Sequence, residues 1–226
     1  MASIKIHAGK DIFTALSHTQ SKPDNKKIGN LAQTWHLIEE KPSQAYVNGH
    51  DIKVCFDCGL ASKAGGGNGA CYVLLIHGPD AVWRGSVDAP VSEIPKNINK
   101  GIRFGAYGDP VVMPIATTKK LAKAATGHLG YTHQWRNVSP KYAEFLMASV
   151  EPTMGDPKKV KQEANNRGYR TYRTLAEGEL PMADEVMCPN VTHGIQCDKC
   201  MLCGGTSTPA KNVCIPGHGP GKGAFG

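Results

Sequence analysis

Seven of the eight cysteines fall into two groups whose spacing suits metal ligation. The first group has the pattern Cys-x2-Cys-x12-Cys and consists of Cys55, Cys58 and Cys71. The second has the pattern Cys-x8-Cys-x2-Cys-x2-Cys and consists of Cys188, Cys197, Cys200 and Cys203. Thiolates spaced in this way hold zinc or iron–sulfur clusters. The second group therefore predicts a closed site, and the first predicts an open site at which chemistry can occur.

The identity of the metal at the second group stays open between an iron–sulfur cluster and zinc. Three cysteines in quick succession favour a [4Fe-4S] cluster, and Cys188-Pro189 is similar to part of the ferredoxin ligand run, although here the remote cysteine comes first. A zinc site also uses four thiolates, but its commonest form pairs two separate Cys-x2-Cys knuckles. The sequence has no second knuckle at this site. We therefore predict iron–sulfur clusters, two if both groups are loaded, with zinc as the alternative.

The fourth ligand of the first group has three candidates, namely Cys214, a histidine or a small molecule. Cys214 as the ligand would close the site, whereas a small molecule would make the site catalytic. Cys214 lies between Val213 and Ile215. In such an apolar setting, a buried free cysteine is an equally good interpretation.

Short apolar and β-branched runs predict strands, and two longer patterns predict helices. The predicted strands are Gln33–Ile38, Tyr72–Ile76, Ile102–Ala106, Gly130–Trp135, Phe145–Val150, Tyr169–Thr174 and Val213–Pro216, and the predicted helices are Val111–Thr126 and Lys158–Arg167. Strands and helices thus alternate between residues 102 and 174, which is typical of βα units. We predict an α/β protein, a parallel (βα) full or partial barrel with cysteine-rich metal-binding loops.

Polar residues follow several predicted strands, where (βα) barrels carry their reactive groups. The candidate catalytic residues are Asp109, His133, Glu151 and Arg173, and the candidate cofactor-binding residues are Gly105, Gly108, Asp109 and Trp135. Asp before Pro is also a common helix N-cap, so capping is the alternative role of Asp109. The charges of Glu151 and Arg173 could form an ion pair or bind a charged substrate.

Composition limits the class of protein. The chain has 226 residues, 40% of them hydrophobic, and a formal net charge of +7. We expect a single domain, 1–226, in which 33–76 is the first metal-binding segment, 102–174 holds the βα units and 188–218 is the second metal-binding segment.

No apolar run reaches 18 residues, so we expect no membrane partner and a cytoplasmic location, where thiols hold metal more often than they form disulfides. The charge suits nucleic acid, although the basic residues are spread along the chain. A zinc-stabilised nucleic-acid-binding protein of a phage or plasmid is therefore the alternative function.

Several motifs carry a resemblance to known families. The motifs Cys-x2-Cys, GxYGDP, GYTHQW, MASVE, YRTYR and CxxCxxCGG resemble a family of uncharacterised phage and plasmid proteins over about residues 33–218. A more distant resemblance is to radical S-adenosylmethionine enzymes, whose usual spacing is Cys-x3-Cys-x2-Cys. That resemblance implies an enzyme in which Cys55, Cys58 and Cys71 hold the reactive cluster and Gly108-Asp109-Pro110 contacts S-adenosylmethionine. Its partners would be a small-molecule ligand or an electron donor.

Overall fold

A computed structural model describes residues 3–17 and 27–217. The strands are β1 (Ser3–Ala8), β2 (Ile12–Ser17), β3 (Ala32–Ile38), β4 (Ile102–Tyr107), β5 (His128–Thr132), β6 (Met147–Val150), β7 (Thr171–Leu175), β8 (Glu185–Met187) and β9 (Asn212–Pro216). The helices are α1 (Pro42–Asn48), α2 (Ile52–Cys55), α3 (Gly78–Arg84), α4 (Ile115–Ala124), α5 (Pro157–Asn166), α6 (Pro189–His193) and α7 (Cys197–Cys200). The predicted C-terminal segment ends at position 218, which lies outside the described residues.

The nine strands form one sheet in the order β1-β2-β3-β4-β5-β6-β7-β9-β8. β1, β2 and β3 pair antiparallel, and every pair from β3 to β8 is parallel. Within the described ranges the edge strands β1 and β8 do not pair with each other, so the sheet is open. The predicted α/β class is confirmed. A full barrel is not confirmed, and the open sheet is compatible with a partial (βα) fold.

The two faces of the sheet bury different partners because neighbouring strand residues point in opposite directions. On one face, Phe104 and Val150 pack with Leu121 of α4 and Val160 of α5. These helices carry the βα connections, and their apolar positions complete the larger core. On the other face, Met147 belongs to a separate cluster, which includes residues of the second cysteine segment.

That second face is divided along the sheet. At the β2–β3 side it is covered by α1, α2 and α3, whose Ala45, Val54 and Val82 pack around Trp35 and Leu37. Towards β5, β7 and β9 it is covered by the segment that carries the second cysteine group. Both cysteine groups therefore lie against one face of the sheet.

Most predicted elements are present, and two of them differ most from the prediction. The predicted strand Tyr72–Ile76 is wrong, since the segment lies outside every strand and Leu74 and Ile76 are exposed. The predicted helix Val111–Thr126 begins late, because Pro114 separates a 3₁₀ turn (Pro110–Val112) from α4. Across the described ranges, every helix is too short or too polar to cross a bilayer.

Candidate metal centres

A compact turn brings the first cysteine group together. Cys55 ends α2, and the backbone N–H of Cys58 donates to the carbonyl of Cys55 at 3.1 Å. The buried Asp51 carboxylate then accepts from the Ser62 backbone N–H at 2.9 Å. Both contacts fold the chain back over the end of α2, so that two thiols of the Cys-x2-Cys step leave the same turn.

The glycine-rich stretch 64–70 returns the chain towards Cys71. Its backbone is held by hydrogen bonds from Gly67 N to Ser62 O and from Asn68 N to Gly59 O, both 2.9 Å long. A side chain at Gly67 would place its Cβ 2.3 Å from the carbonyl oxygen of Ala61. The glycine thus allows two backbone segments to touch, and the loop positions Cys71 without needing a metal.

The three thiols line a cavity of about 70 Å³ beside the carboxyl ends of β4 and β5. Gly105, Gly108 and His133 line the same cavity. Gly108 has a φ of 71°, and a Cβ there would lie 2.7 Å from Cβ of His36. Glycine is therefore required by the turn itself, and it leaves backbone exposed to the cavity, as a cofactor contact would need.

Asp109 is buried, and both of its carboxylate oxygens are used within the protein. Oδ1 accepts from the Thr132 hydroxyl at 2.7 Å and the Val111 N–H at 3.2 Å, while Oδ2 accepts from the His133 N–H at 2.8 Å. The Asp109 N–H donates to the carbonyl of Val54 in α2 at 2.7 Å. Asp109 therefore caps the 3₁₀ turn, as the alternative interpretation predicts, and ties the ends of β4 and β5 to the cysteine-bearing helix.

His133 and Glu151 form a buried pair next to Cys58. His133 Nε2 donates to Glu151 Oε1, and one ligand atom from each of Cys58, His133 and Glu151 lies within 4.8 Å of the others. Glu151 is 2% exposed, and its Oε2 has no hydrogen-bond partner among the described residues. Burial lowers the pKa of His133, but Cys58 and Glu151 together raise it well above its ordinary value. This corner of the cavity is suited to hold a proton or a cation.

Two thiols of the first group, those of Cys55 and Cys71, resist ionisation in the absence of a cation. Burial raises the pKa of Cys71 to about 11 and raises that of Cys55 well above its ordinary value, with further contributions from the neighbouring thiols. A bound metal reverses this, since it stabilises the thiolate form of its ligands. The donor set fits a thiophilic metal centre on chemical grounds.

The second cysteine group surrounds a larger cavity of about 250 Å³. Its lining is mainly apolar and includes all four cysteines of the group, Cys188, Cys197, Cys200 and Cys203. The segment is anchored by backbone bonds from Cys197 N to Lys27 O at 2.8 Å and from Gly130 N to Cys203 O at 3.0 Å. Met201 packs near the amino ends of β4 and β5, because a Cβ at either Gly101 or Gly127 would lie 2.8 Å from Met201 Cε.

The four thiols of this group also influence one another. Burial is the largest cause that raises the pKa of Cys197 and Cys203, and the other thiols of the group raise it further. Among the described residues, Arg103 is the cation that most lowers the pKa of Cys197. Four cysteines around one cavity form a donor set whose thiolate forms a cationic centre would stabilise.

Three predicted site residues lie away from both cavities. Cys214 lines neither, and its thiol donates to Val186 O at 3.6 Å within the sheet. Arg173 is buried in a bidentate ion pair with Glu185, at 2.8 and 2.7 Å, which supports the ion-pair alternative with a different partner from Glu151. Trp135 is fully buried in the core under α4 and α5, where its indole N–H donates to Ser149 O at 3.0 Å.

Four residues at the cavities were not predicted from the sequence. Tyr72 and Tyr131 line both cavities, and Arg103 and Tyr172 line the larger one. Arg103 interrupts the apolar run of β4, and Tyr72 follows Cys71 directly. A charged residue within a buried parallel strand was the available signal, since such strands are normally apolar throughout.

Comparison of the chain with protein-family models, curated proteins and solved structures found no match.

Proposed function

We propose that the protein is an iron–sulfur protein with two thiolate-bound centres, of which the first is open and reactive in the manner of radical S-adenosylmethionine enzymes. The observation that carries the proposal is the arrangement of the two cysteine groups around separate cavities against one face of a largely parallel sheet. Three thiols lie beside the carboxyl ends of the strands, and four surround an apolar cavity. Parallel α/β sheets bind their ligands at the carboxyl ends of the strands.

The surroundings of the first group support an open centre. Cys214, the candidate that would have closed the site with a fourth thiolate, lies in β9 and lines neither cavity. The position beside the three thiols is lined by the backbone of Gly105 and Gly108 and by the ring of His133. A small molecule with amino and carboxylate groups, such as S-adenosylmethionine, could meet peptide groups there.

Residues around this centre have distinct roles under the proposal. Asp109 is a positioning residue, because its oxygens are used by Thr132, Val111 and the His133 backbone. His133 and Glu151 handle a proton at His133 Nε2. Gly105 and Gly108 provide the surface against which the cofactor lies. Arg173 and Trp135 stabilise the fold.

The test is reductive cleavage of S-adenosylmethionine by anaerobically purified protein. One electron from dithionite breaks a carbon–sulfur bond of the sulfonium, giving methionine and an adenosyl radical. The radical becomes 5′-deoxyadenosine when it takes a hydrogen atom from a C–H bond of the protein or of a buffer component. We expect 5′-deoxyadenosine to form with the wild type and with Cys214→Ser, and not with Cys71→Ser. No product from the iron-loaded wild type, or equal product from Cys71→Ser, would contradict the proposal.

Zinc is the second candidate for the first site, and one observation favours it. Cys58, His133 and Glu151 offer one sulfur, one nitrogen and one oxygen within 4.8 Å, and these are ligand types that zinc accepts. In that arrangement His133 is a ligand, and His133→Gln removes the metal. In the open three-thiolate arrangement, His133→Gln retains it. Metal analysis of this one variant distinguishes the two arrangements, and the nucleic-acid alternative stays a prediction from net charge alone.

A further inference from the structure

The two cavities share a wall made of two tyrosine side chains. Tyr72 and Tyr131 line the small cavity of the first cysteine group and also the larger cavity of the second. Their hydroxyl groups are hydrogen-bonded to each other. A single layer of aromatic side chains therefore separates the spaces around the two groups of thiols.

A short bonded path runs through this wall. Tyr72 is joined covalently to Cys71, and Tyr131 is joined covalently to Gly130. The Gly130 N–H donates to the carbonyl oxygen of Cys203 at 3.0 Å. Only two hydrogen bonds, one between the phenols and one between backbone groups, therefore interrupt the chain of covalent bonds from Cys71 to Cys203.

Other contacts hold the two phenols in place. Arg103 Nη2 donates to the hydroxyl oxygens of Tyr72 and Tyr131 at 3.4 and 3.3 Å. The ring of Tyr131 stacks on that of Tyr172 at 4.6 Å with an angle of 7° between the planes. Tyr172 faces the larger cavity, so the stack extends the aromatic contact towards the second group.

We infer that Tyr72 and Tyr131, held by Arg103, form the route by which the two centres exchange electrons. The inference rests on the proposed function, because it needs a redox-active centre at each cysteine group. One electron leaves the reduced second centre and enters the oxidised first centre, and no covalent bond is broken. An external one-electron donor restores the second centre. The closed centre thus supplies electrons to the open one.

The test uses full-length protein loaded with both clusters and reduced by a flash-activated one-electron donor. Freeze-quench electron paramagnetic resonance measures how the signals of the two centres change with time. Electron transfer between the centres is the phase whose rate does not depend on the concentration of protein or donor. We expect Tyr72→Phe and Tyr131→Phe to slow this phase about tenfold, which corresponds to about 1.4 kcal/mol of activation free energy. The double variant should be no slower than either single one, since all three lack the same hydrogen bond.

Tyr142→Phe is the matched control. Tyr142 is also buried, and its hydroxyl donates to Met113 O at 2.7 Å on the opposite face of the sheet. This variant loses one buried hydrogen bond, and its redistribution rate should equal that of the wild type. An unchanged rate in Tyr72→Phe and Tyr131→Phe with both clusters retained would overturn the route.

Two measurements on the wild type separate this inference from the proposed function. Magnetic interaction between the two reduced centres is expected from their proximity, and its absence would overturn the route without any variant. A protein that transfers electrons between centres but does not cleave S-adenosylmethionine would keep the route and lose the radical function. A wild type without iron at either group would overturn both.

Discussion

The two cysteine groups present the same ligand atoms in different surroundings. The first lies beside polar strand ends, where Asp109 and His133 join β4, β5 and α2. The second surrounds an apolar cavity and covers buried residues such as Leu129 and Val213. The comparison shows that two similar sets of thiols lie in different surroundings. Under the proposed function, those surroundings determine whether a centre reacts or stabilises the fold.

The largest expected effect comes from breaking the second group. Cys203→Ser removes one of four thiolates around the larger cavity, so the metal is lost and the apolar cover separates from Leu129 and Val213. We expect a fall of more than about 4 kcal/mol in the free energy of unfolding, the range typical of losing a metal. Urea unfolding together with metal analysis measures it. Cys214→Ser is the control, and a stability change in Cys203→Ser no larger than in this control would show that the second group is not structural.

A variant of Arg173 tests whether a region away from both cavities contributes to catalysis. Arg173→Met leaves Glu185 buried without its bidentate partner, so we expect a loss of about 3–5 kcal/mol. Both centres should retain their metal, because Arg173 lines neither cavity. Thermal unfolding and metal analysis measure the two effects. A stable variant that fails to produce 5′-deoxyadenosine would return Arg173 to the list of catalytic residues.

Breaking the first group should have a smaller effect on stability. The loop 64–70 keeps its backbone hydrogen bonds in Cys71→Ser, so we expect a loss of about 1–2 kcal/mol, an ordinary value for a point mutation. The same variant should lose the first metal and all cleavage of S-adenosylmethionine. If Cys71→Ser and Cys203→Ser destabilise the protein equally in urea, the contrast between the two groups is wrong.

The smallest expected effect is the contribution of His36, which lies near the first group, to the free energy of unfolding at acid pH. Burial, the largest cause, and then His7 lower the pKa of His36 to about 3, so folded His36 stays neutral while the unfolded chain becomes protonated below about pH 6.5. Stability from this residue is therefore complete above pH 6.5 and is lost as the pH falls towards 3. Between pH 7 and 5.5 we expect a loss of about 1 kcal/mol. His36→Gln should lack this component in urea unfolding at each pH, and identical slopes in the two proteins would contradict the assignment.

Much of the sheet could be predicted from the sequence, because β3 to β7 and β9 are buried runs with clear apolar character. β8 has only three residues and gives too short a pattern to detect. Tyr72–Ile76 has the composition of a strand but no neighbouring strand with which to pair. The composition of a segment alone cannot show whether a neighbouring strand is present to pair with it.

The candidate site could be predicted only in part, because some of its contacts join residues that are far apart in the sequence. Cysteine spacing correctly separates the two groups that line the two cavities. Trp135 was predicted to be a site residue because it lies close in sequence to His133. However, β5 ends at Thr132 and the chain then turns Trp135 into the core. The tyrosine wall depends on contacts between residues 59 positions apart, such as Tyr72 and Tyr131, which no local pattern reveals.

Under the proposed function, one centre is open and the other is closed. The most direct measurement is the electron paramagnetic resonance spectrum of reduced, anaerobically purified wild type, with iron analysis, before and after S-adenosylmethionine is added. We predict two cluster signals, of which S-adenosylmethionine changes one, and that one should be missing in Cys71→Ser. A colourless protein with stoichiometric zinc, or two signals that S-adenosylmethionine leaves unchanged, would contradict the claim.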